Sequence, residues 1–274
     1  MPIAVLAFDF DPLLRIGDAA VSWETVGIAA AIFVALILAG TTTLAEGFRA
    51  DDLLFVVLGV VPGAVVGGRL GYVLLHPDWF LARPARIVDP AVGSAELTLA
   101  VLGGTVAGVL VAGLLDGRPA RWLQVATLPA FMGLAAGKLA MVLGGSGQGL
   151  PTTGDPATVY LGAGPWGSLG PGLPAIPSQA LEGIATLLLV IVLLLALLVP
   201  LIREADGRAF FLGLAAWCGI RFLIAGTWRD PITIGPLRTE QVIALIVGFG
   251  SLLAAAAVRQ RTESTDVVAE APTA

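Results

Sequence analysis

Seven long apolar runs constrain this sequence more than any other feature. They lie near residues 26–45, 53–75, 97–115, 123–143, 180–202, 209–226 and 241–258. A helix that crosses a bilayer needs about 20 predominantly apolar residues, and in lipid a helix satisfies its own backbone hydrogen bonds. The sequence therefore predicts an all-α, polytopic membrane protein with seven transmembrane helices.

The composition agrees with this class and excludes others. The 274 residues are 57% hydrophobic and 13% charged, whereas a soluble domain is about 25% charged, so a soluble globular enzyme is excluded. The single cysteine, Cys218, and the single histidine, His76, exclude a disulfide framework and a thiolate or histidine metal site. We expect no metal, no cofactor and no nucleic-acid partner.

The arginines between the spans predict the orientation. With the N-terminus outside, more of them fall on the inner side than on the outer side, as the positive-inside rule favours. The inner set is Arg49, Arg118, Arg121, Arg203, Arg208, Arg259 and Arg261, and the outer set is Arg15, Arg83, Arg86, Arg229 and Arg238. We expect an outer N-terminal segment (1–25), a transmembrane domain (26–258) and a disordered cytoplasmic tail (259–274).

One connection, residues 144–177, is rich in glycine and proline and carries a single charge, Asp155. It is too long for a plain connector. Two interpretations are equally open. The segment is either a flexible outer loop or a lid whose Tyr160 and Trp166 lie at the lipid headgroup level, where such aromatic residues concentrate.

Three basic residues, Arg69, Lys138 and Arg221, lie inside spans, and no acidic residue lies mid-span to neutralise them. Such a charge costs about 3 kcal/mol or more at the helix centre, which marks a candidate functional site, unless the long side chain snorkels to the interface. With the N-terminus outside, a rise of about 1.5 Å per residue places all three roughly 6–10 Å below the outer surface. This shared depth favours binding of a phospholipid phosphate.

Glycines recur at a spacing of four in three spans. That spacing keeps them near one helix face, where a neighbouring helix can approach closely. They are Gly59, Gly63, Gly67 and Gly71 in the second span, Gly104 and Gly108 in the third, and Gly133 and Gly137 in the fourth. We expect helix packing at these positions.

The fifth span opens with IPSQALEG, residues 176–183. Ser178 is a predicted N-cap, and Glu182 falls in the first turn, where the helix dipole favours an anion. Capping alone would explain the segment. Gln179 and Glu182, however, are three residues apart on one face, at the outer level of the cations. In the outer loop 227–241, Arg229 could draw in an anionic headgroup.

Short motifs stand in a fixed order along the chain. They are FDPLLRIG near the start, GGRLGYVLL at 67–75, LGGTVAG at 102–108, GLAAGKLAMVLGGSGQG at 133–149, PSQALE at 177–182, and GIRFLIAGTWRDP followed by GPLRTEQV. Their sequences, order and spacing resemble those of the prolipoprotein diacylglyceryl transferases, bacterial enzymes with seven spans and an outer N-terminus. The resemblance extends along nearly the whole chain.

The resemblance implies transfer of a diacylglyceryl group from phosphatidylglycerol to the lipobox cysteine in the signal peptide of a preprolipoprotein. It places the chain in the bacterial cytoplasmic (inner) membrane, with a cytoplasmic C-terminus. The thiol must lose its proton, and cations must stabilise the departing phosphate. The implied catalytic residues are Glu182, Arg221 and Lys138, and the implied headgroup-binding residues are Arg69, Lys138, Gln148, Ser178, Gln179, Arg221, Arg229 and Gln241.

Several functional positions of the family carry other residues here. Leu102 stands for the histidine of the His-Gly-Gly motif, Glu24 for the tyrosine after the first-span tryptophan, and Ala225 for the glutamate after the sixth-span arginine. In the fourth-span signature, Lys138 stands for the arginine and Met141 for the following asparagine. The signature glutamate is replaced by Ser146 or, with a shifted gap, by Gln148. Leucine cannot accept a proton, and lysine cannot form the bidentate clamp of a guanidinium on phosphate.

Three hypotheses follow. In an active, divergent transferase, the cations hold the phosphatidylglycerol headgroup and Glu182 or Glu24 replaces the missing base. A non-catalytic relative would keep the fold and bind anionic phospholipid or a lipoprotein signal segment. A small-solute transporter or retinal-type sensor shares the span number, but the lone lysine in the fourth span gives it little support. The transferase is the main hypothesis.

Overall fold

The seven predicted spans are present as helices. A computed structural model of the chain describes residues 5–89, 92–115, 117–162, 164–199, 202, 206–230 and 232–269. Within these residues, seven helices are long and apolar enough to cross a membrane. The prediction of an all-α protein with seven spans is confirmed, and the chain is a multi-pass membrane protein.

The helices begin and end close to the predicted apolar runs. They are α1 (Trp23–Ala45), α2 (Ala50–Leu75), the short α3 (Pro77–Leu81), α4 (Leu97–Leu115), α5 (Pro119–Ala140), α6 (Ser178–Ala196), α7 (Arg208–Ala225) and α8 (Thr239–Ala269). Single 3₁₀ turns follow α3 at Pro84–Ile87 and α5 at Met141–Leu143. Proline begins α3 and α5, where the missing N–H is not needed.

The last helix differs from the sequence expectation. It extends to Ala269, so residues 259–269 are helical where a disordered tail was expected from residue 259. The run Ala254–Ala257 consists of the strongest helix former and carries the helix past the apolar span. Residues 270–274 of the expected tail, like residues 1–4 of the N-terminal segment and Arg203 of the inner set, lie outside the described residues.

Short strands connect segments that the sequence analysis left without secondary structure. β1 (Val5–Phe8) pairs in parallel with β4 (Ala157–Tyr160), and β2 (Leu13–Ile16) pairs antiparallel with β3 (Ala19–Ser22). β5 (Ile232–Ile234) and β6 (Leu237–Arg238) form a third antiparallel pair. Glycine at the turns, Gly17 and Gly235, adopts the positive φ that tight hairpins need.

The segment 144–177 has its own folded structure. All four residues of β4 are buried, and Ala175 bridges to Pro151 and to Thr158. Tyr160 is fully buried and its ring stacks on Phe8, so its side chain lies inside the protein rather than on an exposed surface. A strand partner from the N-terminal segment, which the sequence pattern does not reveal, holds it inside.

The described residues form two compact units. The first lies within 1–38, 128–195 and 220–241, and the second within 39–127, 196–219 and 242–274. In the second unit, Phe48, Ala112, Trp122 and Val125 form an apolar cluster with Leu53 and Val56. The first unit contains Lys138, Gln179, Glu182 and Arg221.

The glycine stripe of α2 packs against α4 in the second unit. A Cβ atom at Gly63 would lie 2.6 Å from the Gly103 carbonyl oxygen, and one at Gly67 would collide with the Leu99 carbonyl oxygen. Gly104 and Gly108 of α4 face α2 in turn. The two backbones therefore approach as closely as predicted for this stripe.

The fourth-span glycines differ from each other. A Cβ atom at Gly133 would lie 3.1 Å from the Ala35 Cβ atom of α1, so Gly133 is a packing position. At Gly137, apart from its chain neighbours and the backbone of its own helix, no described atom lies within 4 Å of that point, so the packing prediction is wrong there. The spacing of four identifies a face but not whether a neighbour covers both residues.

Gly67→Ala should destabilise the protein by about 1–3 kcal/mol, because the added methyl group overpacks a backbone contact that cannot yield. Gly113→Ala, on an open face of the same helix pair, is the matched control and should not lower stability. Thermal unfolding in detergent micelles measures both. Equal midpoints for the two variants would contradict the packing account.

Candidate functional site

Glu182 joins two of the three intramembrane cations. Its Oε2 lies 2.8 Å from Lys138 Nζ and its Oε1 accepts a hydrogen bond of 2.6 Å from Arg221 Nη1. Glu182 is 0% exposed, and the Lys138 and Arg221 side chains are 14% and 3% exposed. We call Lys138, Glu182 and Arg221 the ion cluster.

The ion cluster corrects one sequence expectation. Lys138 and Arg221 were expected to lack a protein counter-charge, but Glu182 pairs with both. Glu182 lies one turn from the start of α6, whereas Lys138 and Arg221 lie near the ends of α5 and α7. Helices of alternating direction bring these ends together, and the linear sequence does not show which of them meet.

The charges of the ion cluster determine which kind of ligand it suits. A buried charge is costly unless it is paired, and removing one partner of such a pair is strongly destabilising. Two cations against one carboxylate leave the cluster with a net positive charge. A site of this kind suits a phosphate group, whose oxygens accept charge-assisted hydrogen bonds.

Trp228 covers both cations. Its ring centroid lies 4.7 Å from Arg221 Cζ and 5.4 Å from Lys138 Nζ, within the range of cation–π interactions. Trp228 is not among the site residues predicted from the sequence. Its position in the WRDP segment directly after α7, next to Arg229, was the available signal. Arg229 itself is exposed.

Gln179 and Tyr160 border the ion cluster along α6. Gln179, one turn before Glu182, is 1% exposed, and its Nε2 lies 3.5 Å from the Tyr160 hydroxyl. No described residue donates a hydrogen bond to Gln179 Oε1. A buried amide oxygen with an open position favours a ligand that brings an O–H or N–H donor.

Tyr160 is a hydrogen-bond donor at this site. Its hydroxyl donates to the Val142 carbonyl oxygen at 2.7 Å. Burial raises the pKa of Tyr160 to about 12. The hydrogen bond from Gln179 acts in the opposite direction, and the charge of Glu24 also raises the pKa. The phenol therefore stays protonated throughout the physiological range.

Ser178 connects the start of α6 to the end of α7. Its hydroxyl lies 2.6 Å from the Thr227 hydroxyl, and Thr227 donates to the Ile224 carbonyl oxygen. Ser178 is the first residue of α6, and the Pro177 carbonyl oxygen accepts the first helical hydrogen bond, from the Leu181 backbone N–H. The predicted N-cap role is therefore wrong, because the hydroxyl is used between helices.

Gln148 and Gln241 bond to neighbouring backbone. Gln148 Nε2 donates to the carbonyl oxygen and the hydroxyl of Thr158, at 3.0 and 2.9 Å. Gln241 Nε2 donates to the Phe222 carbonyl oxygen, and its Oε1 accepts from the Arg238 backbone N–H. These contacts hold β4 and the α7–α8 connection in place around the ion cluster.

Arg69 has a different environment from the other two cations. It lies in the second unit, where it donates to the carbonyl oxygens of Ile87, Val92, Asp89 and Arg86 and lies over the Phe80 ring. The guanidinium thus fixes the connection between α3 and α4. Leu102, at the position of the family histidine, is also in this unit, on α4.

Glu24 lies beside the loop that follows α5. Its Oε2 accepts a 2.7 Å hydrogen bond from Ser146 Oγ, and its carboxylate occupies the space that a Cβ atom at Gly144 would need. The structure therefore brings together two of the replaced positions, Glu24 and Ser146. Among the other replaced positions, Ala225 is buried at the end of α7, and the Met141 side chain packs near Gly147.

Comparison with known proteins assigns the chain to a family. The model of the prolipoprotein diacylglyceryl transferase family matches residues 12–257, which include every member of the ion cluster. The chain belongs to this family. Lys138, Glu182 and Arg221 lie in the three segments GLAAGKLAMVLGGSGQG, PSQALE and GIRFLIAGTWRDP, in which the sequence resembles the family.

Relatives that bear the family's name match part of this chain. A phosphatidylglycerol--prolipoprotein diacylglyceryl transferase of Paraburkholderia xenovorans is 37% identical in an alignment of 186 residues that covers 63% of this chain and 56% of the relative. Proteins of the same name from Burkholderia ambifaria and Burkholderia multivorans are 36% and 38% identical over 60% of this chain and 55% of their own length. The chain thus spans about half the length of these relatives.

Glu182→Gln should destabilise the protein by about 3–5 kcal/mol, because it leaves two buried cations without their carboxylate. Glu46→Gln, which removes an exposed pair with Arg121, is the matched control and should change stability by about 1 kcal/mol at most. Thermal unfolding in detergent measures both. Adding Lys138→Met to Glu182→Gln should restore part of the loss, and a further loss would contradict the charge account.

The Tyr160 hydroxyl should lose its proton only at high pH. The difference in tyrosinate absorbance between the wild type and Tyr160→Phe should rise near pH 12, whereas an exposed tyrosine titrates near pH 10, about its ordinary pKa. Circular dichroism over the same pH range confirms that the helices persist. A rise near the ordinary value in helical protein would contradict the buried, hydrogen-bonded position.

Proposed function

We propose that the protein transfers a diacylglyceryl group from phosphatidylglycerol to the lipobox cysteine thiol of a preprolipoprotein and releases glycerol phosphate. The observation that carries the proposal is the buried ion cluster, with its net positive charge, in a chain of this family. The relatives' name states both substrates. The cluster suits the phosphate of one of them.

In this reaction, a thiolate attacks a glycerol carbon of the lipid. A sulfur–carbon bond forms, the carbon–oxygen bond to the phosphate breaks, and the electron pair leaves on the phosphate oxygen. Lys138 and Arg221 face this developing charge and stabilise it, and preorganised charges are most effective in such a water-poor site. Glu182 is a positioning residue that holds the two cations where the phosphate arrives.

The headgroup side of the site uses neighbouring residues. Gln179 Oε1 accepts a hydrogen bond from a hydroxyl of the glycerol headgroup, for which it has an open position. The exposed Arg229 attracts the anionic lipid towards the cluster. Ser178, Gln148 and Gln241 shape the site through their contacts with neighbouring elements, and Arg69 fixes a connection in the second unit.

We place the protein in the bacterial cytoplasmic membrane, with its N-terminus outside, its C-terminus in the cytoplasm and its ion cluster in the outer half of the bilayer. The distribution of arginines supports this orientation. The geometry is consistent with it, since the ends of α5 and α7 and the start of α6 all contribute to one cluster. Phosphatidylglycerol and a lipobox signal peptide would both reach the cluster from that side.

Expression in a bacterium depleted of its own diacylglyceryl transferase tests the proposal. The wild-type chain should lipidate a reporter prolipoprotein, seen as a mobility shift, and Arg221→Ala should lower the rate about 100–1,000-fold, as the loss of one transition-state donor does. Arg49→Ala, which changes an exposed arginine of the second unit, should leave the rate unchanged.

The location of the protein must be checked in the same cells. A membrane-inserted wild-type chain that leaves the reporter unmodified contradicts the proposed transfer. Retained binding of phosphatidylglycerol by that chain would then identify a non-catalytic lipid-binding relative. Equal lipidation by Arg221→Ala and the wild type would contradict the role of the ion cluster.

A further inference from the structure

We propose that Glu24 is the proton acceptor for the thiol substrate and that Ser146 positions it. This inference rests on the proposed transfer and assigns the step that the ion cluster does not perform. The sequence leaves two carboxylates open for this role, Glu182 and Glu24. The structure separates them by their surroundings.

Glu182 is occupied by the cations. Each of its oxygens faces one of them, Oε2 at 2.8 Å from Lys138 Nζ and Oε1 at 2.6 Å from Arg221 Nη1, and the side chain is fully buried. A thiol has no path to either oxygen without breaking an ion pair. Glu182 therefore serves the cations and not the thiol.

Glu24 has the surroundings of a positioned base. It lies in the first turn of α1 and is half-buried, so a substrate can reach it. The hydrogen bond from Ser146 Oγ to Oε2, at 2.7 Å, fixes the orientation of the carboxylate. The absence of a side chain at Gly144 makes room for that carboxylate.

Loop 144–147 connects Glu24 to the ion cluster within the first unit. Glu24 contacts this loop at Gly144 and Ser146, and a Cβ atom at Gly147 would lie 3.3 Å from Gln179 Cβ. Gln179 lies one turn from Glu182 on α6. One short loop therefore separates Glu24 from the helix face that carries the phosphate site.

The proposed step moves one proton to Glu24 and one electron pair to the leaving phosphate. The Glu24 carboxylate takes the proton of the substrate thiol as the sulfur attacks the glycerol carbon. The carbon–oxygen bond breaks, and its electron pair leaves with the phosphate, opposite Lys138 and Arg221. The protonated Glu24 then passes its proton to the released glycerol phosphate, which restores the carboxylate.

The test is the pH dependence of transfer by Glu24→Gln, measured with purified full-length protein, phosphatidylglycerol vesicles and a lipobox peptide. The amide oxygen of glutamine can still accept from Ser146 but cannot take a proton. At pH 7 we expect a rate about 100-fold below the wild type, the lower end for general-base catalysis. A free thiol with a pKa of about 8.5 is about 3% ionised at pH 7 and about three-quarters ionised at pH 9, so the deficit should shrink at least about tenfold.

Asp18→Asn is the matched control, because it removes an exposed carboxylate from the same unit and should leave the rate unchanged at every pH. Ser146→Ala should slow transfer less than Glu24→Gln, because it keeps the base and loses only its orientation. If Glu24→Gln unfolds below the assay temperature, Glu24→Asp and Ser146→Ala carry the same comparison. If both variants transfer more slowly than the wild type but show the same pH dependence as the wild type, the inference is overturned.

The outcomes separate this inference from the proposed function. A wild-type protein that transfers nothing overturns the function, and the inference with it. An active wild type with Glu24→Gln within about threefold of it at pH 7 overturns the inference alone, given the effects expected of a general base. A deficit of Glu24→Gln that is equal at pH 7 and pH 9 also overturns it, because that result indicates a structural role.

Discussion

A carboxylate between two cations in an apolar protein is the interaction on which the candidate site depends. Lys138 and Arg221 are tolerated in spans because Glu182 compensates their charge, and Glu182 is tolerated at 0% exposure because both cations face it. Each member thus depends on the other two. The cluster retains a net positive charge, which is the property that the proposed binding of a lipid phosphate requires. Trp228 covers the cations on one side and limits their contact with water.

The surrounding structure holds this cluster by contacts between chain segments. Ser178 connects the start of α6 to the end of α7, and Gln241 connects α8 to α7. The pairing of β1 with β4 buries Tyr160, which contacts Gln179 and Val142. Polar side chains that the sequence suggests as ligand-binding residues therefore mainly join neighbouring chain segments. In the second unit, Arg69 does the same with the carbonyl oxygens between α3 and α4.

The apolar framework could be predicted from the sequence because it depends on local patterns. The length of each apolar run determines a span, and the spacing of glycines on α2 determines a packing face. The contacts that define the site depend on which helix ends meet, and no local pattern contains that information. This is why Glu182 was placed at a helix start but not between Lys138 and Arg221, and why Trp228 was missed. Strands of three or four residues were missed because so short a segment carries no periodic signal.

The proposed function requires the ion cluster to hold the lipid phosphate, and the lysine content of the chain allows this contact to be measured directly. Lys138 is the only lysine in the chain, so lysine labelled with ¹⁵N at Nζ gives a signal from this side chain alone. Solid-state NMR of the labelled protein in phosphatidylglycerol bilayers can measure the dipolar coupling between this nitrogen and the ³¹P nucleus of bound lipid. If Lys138 binds the phosphate, the nitrogen–phosphorus distance should be about 4 Å, that of a direct charge-assisted hydrogen bond. Bound phosphatidylglycerol with no detectable coupling to Lys138 would contradict it.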